Sequence, residues 1–259
     1  MVCYALPRYF YSQLTFHFMA PMPTTSSSNN PWFATSMGLV GLIIGYALGS
    51  GSAGIPAGAP PLPPSVPSVP TAAAPEAPPA GDVKPVDPAV DHIRGNPDAA
   101  ISVIEYSDFE CPFCSRNHPT MQQIVDTYGD DVNWVYRHYP LPFHPNAQKA
   151  AEASECAADL GGNDKFWEMA DMIMEKGSDN TQLESYAAAI GLNAAKFKEC
   201  LDSGTTAARI QSDTAEGSAA GVNGTPGNIV LKNGTKESRM VSGAQPFSAF
   251  QAVIDEMLK

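Results

Sequence analysis

Cys111-Pro112-Phe113-Cys114 brings two thiols within one helical turn of each other. Cysteines at that spacing can do two kinds of chemistry. They can close and open a small disulfide with an outside thiol pair, or they can supply half of a four-ligand zinc site. The surrounding residues favour the first. An alternating run at 101–106, Ile-Ser-Val-Ile-Glu-Tyr, reads as a buried strand, a short polar turn follows, and a helical pattern begins at the motif. Cys111 then stands at a helix N-terminus, where unpaired N–H groups and the positive end of the dipole favour an anion. The thiolate is the form that attacks disulfides. Pro112 suits the first turn, since its missing N–H would have no partner there. Zinc would need two further ligands, and Cys156 and Cys200 lack the paired spacing to supply them.

The elements that must hold this motif can be read on either side of it. A helix to about Tyr128 and a Gly-Asp-Asp turn lead to Val132-Asn-Trp-Val-Tyr136, a second alternating strand. Strand, helix, strand points to a parallel pair with a right-handed crossover. From about 145 to 220 the pattern is helical. Helices are expected at 146–160, 166–176, 183–190, from an N-cap at Asn193 to Leu201, and at 209–220. Phe166, Met169, Met172 and Ile173 form an apolar stripe and read as core. Strands return at 228–231 and 237–241 with Lys-Asn-Gly between them, a hairpin signal. An amphipathic helix at 247–258 closes the chain. Residues 83–93 offer an edge strand kept short by Pro85 and Pro88.

About 160 residues follow Pro97, enough for one domain with a sizeable core. They carry 23 acidic and 12 basic side chains, which argues against nucleic acid or anionic lipid as partner. Four of the five cysteines lie in this part. An even number fits two disulfides and an oxidising compartment. Joined, Cys156 and Cys200 would close a loop of about 45 residues, worth at most ~4 kcal/mol. Two separate buried thiols are the alternative.

The chain ahead of the domain is of another kind. Residues 1–31 form a short, largely polar tail in which Met19 and Met22 are alternative starts. Residues 32–49 are uncharged and mostly apolar; as a helix, 32–48 spans roughly 26 Å against a ~30 Å hydrocarbon core. Both a transmembrane anchor and a signal peptide cleaved near Ala57-Gly58-Ala59 fit this segment. The long spacer behind it favours the anchor, with the bulk of the chain outside the cytoplasm. Gly41, Gly45 and Gly49 line one helix face, a pattern that lets membrane helices pack closely. Twelve of the 24 prolines fall between residues 50 and 90, so this stretch reads as an extended Pro/Ala-rich stalk.

Three stretches give the folded part a family likeness. Ile-Glu-Tyr-Ser-Asp-Phe-Glu-Cys-Pro-Phe-Cys at 104–114, Tyr-Arg-His-Tyr-Pro-Leu-Pro-Phe-His-Pro-Asn-Ala at 136–147 and Gly-Val-Asn-Gly-Thr-Pro-Gly at 221–227 resemble the DsbA-like thiol:disulfide oxidoreductases of the thioredoxin superfamily. The resemblance runs from about residue 91 to the C-terminus. It implies that Cys111 attacks and Cys114 resolves, that Thr225-Pro226 is a cis-proline beside the dithiol, and that an extended backbone there pairs with substrate. Pro112 and Phe113 border the same surface. Glu105 matches an acid that assists proton transfer with the dithiol; a solvent-facing strand residue is its plainer reading. Gly227-Asn228 departs from the hydroxyl and bulky apolar residues usual there. Glu110 is expected to point to water, His118 to lie on a helix surface, and His138 and His144 to make contacts of the fold.

The expected fold class is therefore α/β, a thioredoxin fold at 91–259 with a helical insertion near 145–220, preceded by a transmembrane helix and a Pro/Ala-rich linker. Its expected work is disulfide introduction or exchange in unfolded or reduced exported proteins, with a membrane redox partner re-oxidising the dithiol. No metal and no cofactor beyond the Cys111–Cys114 disulfide is expected. A reductase or isomerase of the same fold, and a zinc-binding or adhesive module on a stalk, are the other readings.

Overall fold

Two central strands set the architecture. The computed structural model describes residues 79–259. Within it, β1 (His92–Arg94), β2 (Ile101–Ser107) and β3 (Val132–His138) are followed after a long helical stretch by β4 (Gly227–Lys232) and β5 (Ser238–Ser242). The sheet order is β1-β3-β2-β4-β5. Helix α1 (Pro112–Tyr128) connects β2 to β3, which run parallel; β1, β4 and β5 are antiparallel to their neighbours. Every residue of β2 and β3 is buried, as strands covered on both faces should be. The apolar tail segment at 32–49, its Gly41/Gly45/Gly49 face and the greater part of the proline-rich stretch lie outside the described residues. Among the described residues no helix is long and apolar enough to cross a membrane.

One face of the sheet carries Ile101, Val103, Trp134 and Tyr136 against α1, the helical insertion and the C-terminal helix α7 (Phe247–Met257). The opposite face buries Ile104, Tyr106, Val135 and Ile229 under Ala220 and Val222, with Ala80, Val83 and Val86 packed alongside. The packed part of the chain thus begins ahead of residue 91. Residues 80–90 do not extend the sheet, because prolines give no ladder donor; they lie across its face instead. Gly81 N–H donates to Ala220 O at 2.9 Å, and the buried Arg137 guanidinium binds Asp91 Oδ1 at 2.9 Å and the carbonyls of Lys84 and Pro85 at 3.1 and 3.2 Å. The edge strand itself is only His92–Arg94.

The insertion comprises α2 (Ala147–Gly161), α3 (Asn163–Lys176), α4 (Leu183–Ala189), α5 (Ala194–Ser203) and α6 (Ala207–Ala219). Asn193 caps α5, its Oδ1 accepting from Lys196 N–H at 3.0 Å. The β4–β5 connection is longer than a two-residue turn: Lys232 N–H reaches Glu237 O at 3.0 Å, with Gly234 at φ +74°. A Cys156–Cys200 disulfide joins α2 to α5, with Cα atoms 5.8 Å apart. Replacing both cysteines with alanine is expected to lower the unfolding free energy by up to ~4 kcal/mol. Denaturant unfolding of the oxidised protein checks this; an unchanged midpoint would show that helix packing alone holds the insertion.

Candidate active site

The site forms where β2 stops. Asp108, Phe109 and Glu110 turn the chain, Cys111 takes extended dihedrals (φ −75°, ψ 120°) as the N-cap, and Pro112 opens α1. One buried carboxylate organises this turn. Asp108 Oδ1 accepts from Glu110 N–H at 2.7 Å, while Oδ2 pairs with His144 Nδ1 at 2.7 Å and accepts from Leu141 N–H at 2.8 Å. The Asp108 backbone reaches both cysteines: its carbonyl accepts from Cys111 N–H at 3.1 Å, and its N–H points at Cys114 Sγ at 3.5 Å. Glu110 does not face water as expected. It accepts from the backbone and side-chain N–H groups of Asn146 at 2.6 and 3.2 Å, tying the motif to the entry of α2. The segment 136–147 is therefore a bracket for the dithiol loop.

The second wall comes from the start of β4. The Thr225-Pro226 peptide is cis, and Cys111 Sγ lies 3.5 Å from the Thr225 carbonyl. Both cysteines are free thiols and nearly sealed, Cys111 at 3% and Cys114 at 0% exposure, whereas Phe113 stands half exposed between them in sequence. The two thiols have opposite electrostatics. Cys111 is lowered to about 5: the S–H of Cys114 bonds to its sulfur, the N–H groups of Cys114 and Phe113 assist, and the favourable contacts together outweigh burial. Burial pushes the Cys114 thiol far up, and its bond to Cys111 and the nearby Glu105 charge push it the same way.

Glu105 is fully buried, not solvent-facing. Burial raises its pKa against the pull of His118, Asn117 and Ser107. Its Oε1 accepts from Ser107 Oγ at 3.0 Å and Asn117 Nδ2 at 3.2 Å. In the sheet it pairs with Tyr136 on one side and Asn228 on the other. The same Asn117 amide donates to Asn228 Oδ1 at 3.1 Å, and Asn228 in turn donates to the carbonyls of Val241 and Gly243 at 3.0 and 3.1 Å. The departure at Gly227-Asn228 thus builds a polar strut between the acid and the β4–β5 edge. Gly227 is required there: a Cβ would sit 2.6 Å from the Val222 side chain.

His118 also differs from expectation. It is buried because α3 covers that face of α1, with Nε2 2.8 Å from Asp171 Oδ1 and its ring edge-on to Trp134 at 4.9 Å. His138 pairs with Glu155 at 2.8 Å, deep in the insertion boundary. Asp108, Asn117 and Asp171 were not singled out by sequence. Asn228 carried a signal, since an amide inside an apolar strand must find partners. The two cysteines that a zinc reading would draw on are bonded to each other.

Two free thiols thus stand one helical turn apart beside a cis-proline, in a fold that known proteins share. A family model described as Thioredoxin matches residues 88–256. A solved structure of DsbA2 from Pseudomonas aeruginosa is 28% identical, with a TM-score of 0.56, covering 64% of this chain and 94% of that one. BdbD from Bacillus subtilis shares the fold at 22% identity and a TM-score of 0.59, covering 70% and 98%. The Na(+)/H(+) antiporter NhaA 1 of Mycolicibacterium gilvum is 36% identical over 175 residues, 66% of this chain but 28% of that protein. The chain spans about a quarter of the length of the curated relatives it matches. With the match running from ahead of β1 into α7, the chain belongs to the thioredoxin family.

Proposed function

We propose that this chain is a thiol:disulfide oxidoreductase that introduces or exchanges disulfides in exported proteins through Cys111 and Cys114. One observation carries the reading: Cys111 caps α1 against the cis Thr225-Pro226 backbone with its fully buried partner Cys114 one turn on, an arrangement that lowers the pKa of the first thiol and raises that of the second. A stabilised Cys111 thiolate stabilises the reduced protein, which makes the Cys111–Cys114 disulfide a better oxidant. Substrate thiolate attacks Cys111, and the cis Thr225-Pro226 backbone beside it offers an edge for an extended segment. The likeness to DsbA2 of P. aeruginosa supports the assignment. The apolar segment at 32–49 would hold the domain on the outer side of the cytoplasmic membrane, where a membrane redox partner re-oxidises it. A similar region within proteins named as ion antiporters fits a membrane-held domain.

Equilibration of the purified chain with glutathione buffers tests the direction. The dithiol is expected to stay reduced until the buffer is far more oxidising than a cytosolic poise. A dithiol already oxidised in cytosol-like buffer would assign the chain to reduction instead.

A further inference from the structure

Glu105 is sealed beneath the dithiol, yet an acid that trades protons with Cys114 must itself be recharged. A substrate docked along the Thr225-Pro226 backbone would cover the front of the site, where Cys111 lies 3.5 Å from the Thr225 carbonyl. The interior offers another direction. Glu105 Oε2 and His118 Nδ1 are both buried polar atoms without a direct hydrogen-bond partner. Asn117, the helical neighbour of His118, is bonded to Glu105. Trp134 lies beside His118, its ring edge-on at 4.9 Å, and its indole N–H is likewise buried without a direct partner. On its far side His118 Nε2 meets Asp171 Oδ1 at 2.8 Å. The Asp171 side chain is 42% exposed and opens into a cleft of about 390 Å³ that it lines with Arg94, Trp167 and Glu168. That cleft borders β1, whereas Thr225-Pro226 leads into β4; the two strands lie on opposite sides of β2.

We propose that His118 and Asp171 form a rear proton route, linking buried Glu105 to solvent at the β1–α3 cleft while substrate covers the front of the dithiol. Both are positioning residues, since neither touches sulfur. The inference rests on the oxidoreductase reading above.

The chemistry balances. A substrate thiolate attacks Cys111 Sγ, the Cys111–Cys114 bond breaks, and its electron pair goes to Cys114 Sγ. Cys114 takes a proton from Glu105. The Glu105 carboxylate regains one through one bridging water from Nδ1 of the doubly protonated His118 ring, which keeps its Nε2–H on the ionised Asp171 carboxylate and takes the replacement proton from solvent at the cleft. A second substrate thiolate attacks the substrate sulfur and expels Cys111 as thiolate. Two electrons have moved from substrate sulfurs to the enzyme pair. Of the two protons the substrate thiols gave up, one is matched on Cys114 and one stays in solvent. Re-oxidation runs the route outward. The charged or titratable groups facing His118 are Asp171 from α3, Arg94 through Asp171 from β1 and Glu105 from β2.

The test uses His118→Gln and Asp171→Asn in the full chain, with dithiothreitol as the reductant of the oxidised protein. The reduction rate is followed against pH in light and heavy water, and the glutathione equilibrium is measured alongside. Each variant is expected to slow reduction about tenfold or more, with a solvent isotope effect larger than the wild type's and the equilibrium constant unchanged within about twofold. The double variant should be no slower than the slower single one. Rates and isotope effects equal to wild type in both variants would overturn the route. So would an equilibrium constant that moves as far as the rate, because a relay alters both directions equally. A wild-type chain that exchanges no disulfide would instead remove the oxidoreductase reading.

Discussion

The Cys111→Ser variant is expected to transfer no disulfide to a reduced substrate protein, while Cys114→Ser is expected to bind substrate covalently and stall. The difference follows from where each sulfur sits. Cys111 is the N-cap, adjoins Thr225 at 3.5 Å, and is the sulfur whose anion the site favours. Cys114 has no exposure and holds its proton, so it attacks only once Cys111 carries a partner. Removing Cys114 leaves the first nucleophile and deletes the second. Non-reducing electrophoresis of Cys114→Ser with a reduced, partly oxidised substrate mixture should show a cross-linked band that disappears on reduction. Cross-linking by Cys111→Ser at comparable yield would reverse the two roles. Serine keeps the shape of each site but not the Cys111 anion, so Cys111→Ser is expected to unfold below the reduced wild type at neutral pH and to approach it as pH falls to about 4.

The sequence made the dithiol, its strand–helix frame, the insertion and the Cys156–Cys200 link legible, each for a local reason. Period-2 apolar runs mark β2 and β3, a helix start follows Pro112, and an even cysteine count fits a pair in the insertion. What escaped was set by long-range packing. His118 lies on α1 and would be exposed on an isolated helix; only α3, some fifty residues on, buries it against Asp171. Glu110 looked solvated because nothing near it in sequence shows that Asn146 will arrive. Composition likewise placed residues 80–90 in a stalk. Their contacts come from Arg137 and Ala220, which belong to the far side of the domain. Residues whose partners are local could be placed from sequence. Those that answer to a distant carboxylate or amide could not.

The reduced chain is expected to show a thiolate titration with a midpoint at about 5, from Cys111 alone. Its ordinary value is 9.0, and the depression has the Cys114 S–H bond as its largest cause, ahead of the opposing burial and of the Thr225 contact. Folding therefore favours the ionised form. That contribution to the reduced protein is complete above the unfolded value of 9.0 and vanishes as pH falls through about 5. The oxidised protein has no such group. Its disulfide should be the stronger oxidant near neutral pH, and the gap in unfolding temperature between reduced and oxidised protein should shrink as pH falls to about 4. Glu105 acts in the other sense: burial raises its pKa, so its carboxylate is a cost to the fold that grows as pH rises above the ordinary carboxylate range. Subtracting the oxidised curve from the reduced one removes the part of that cost common to both states. Following thiolate absorbance and unfolding of each state over the same pH series checks both halves. A midpoint near 9, with a reduced–oxidised gap that does not move with pH, would mean that the Cys114 hydrogen bond and the helix start do not activate Cys111. The oxidase direction would then lose its physical basis.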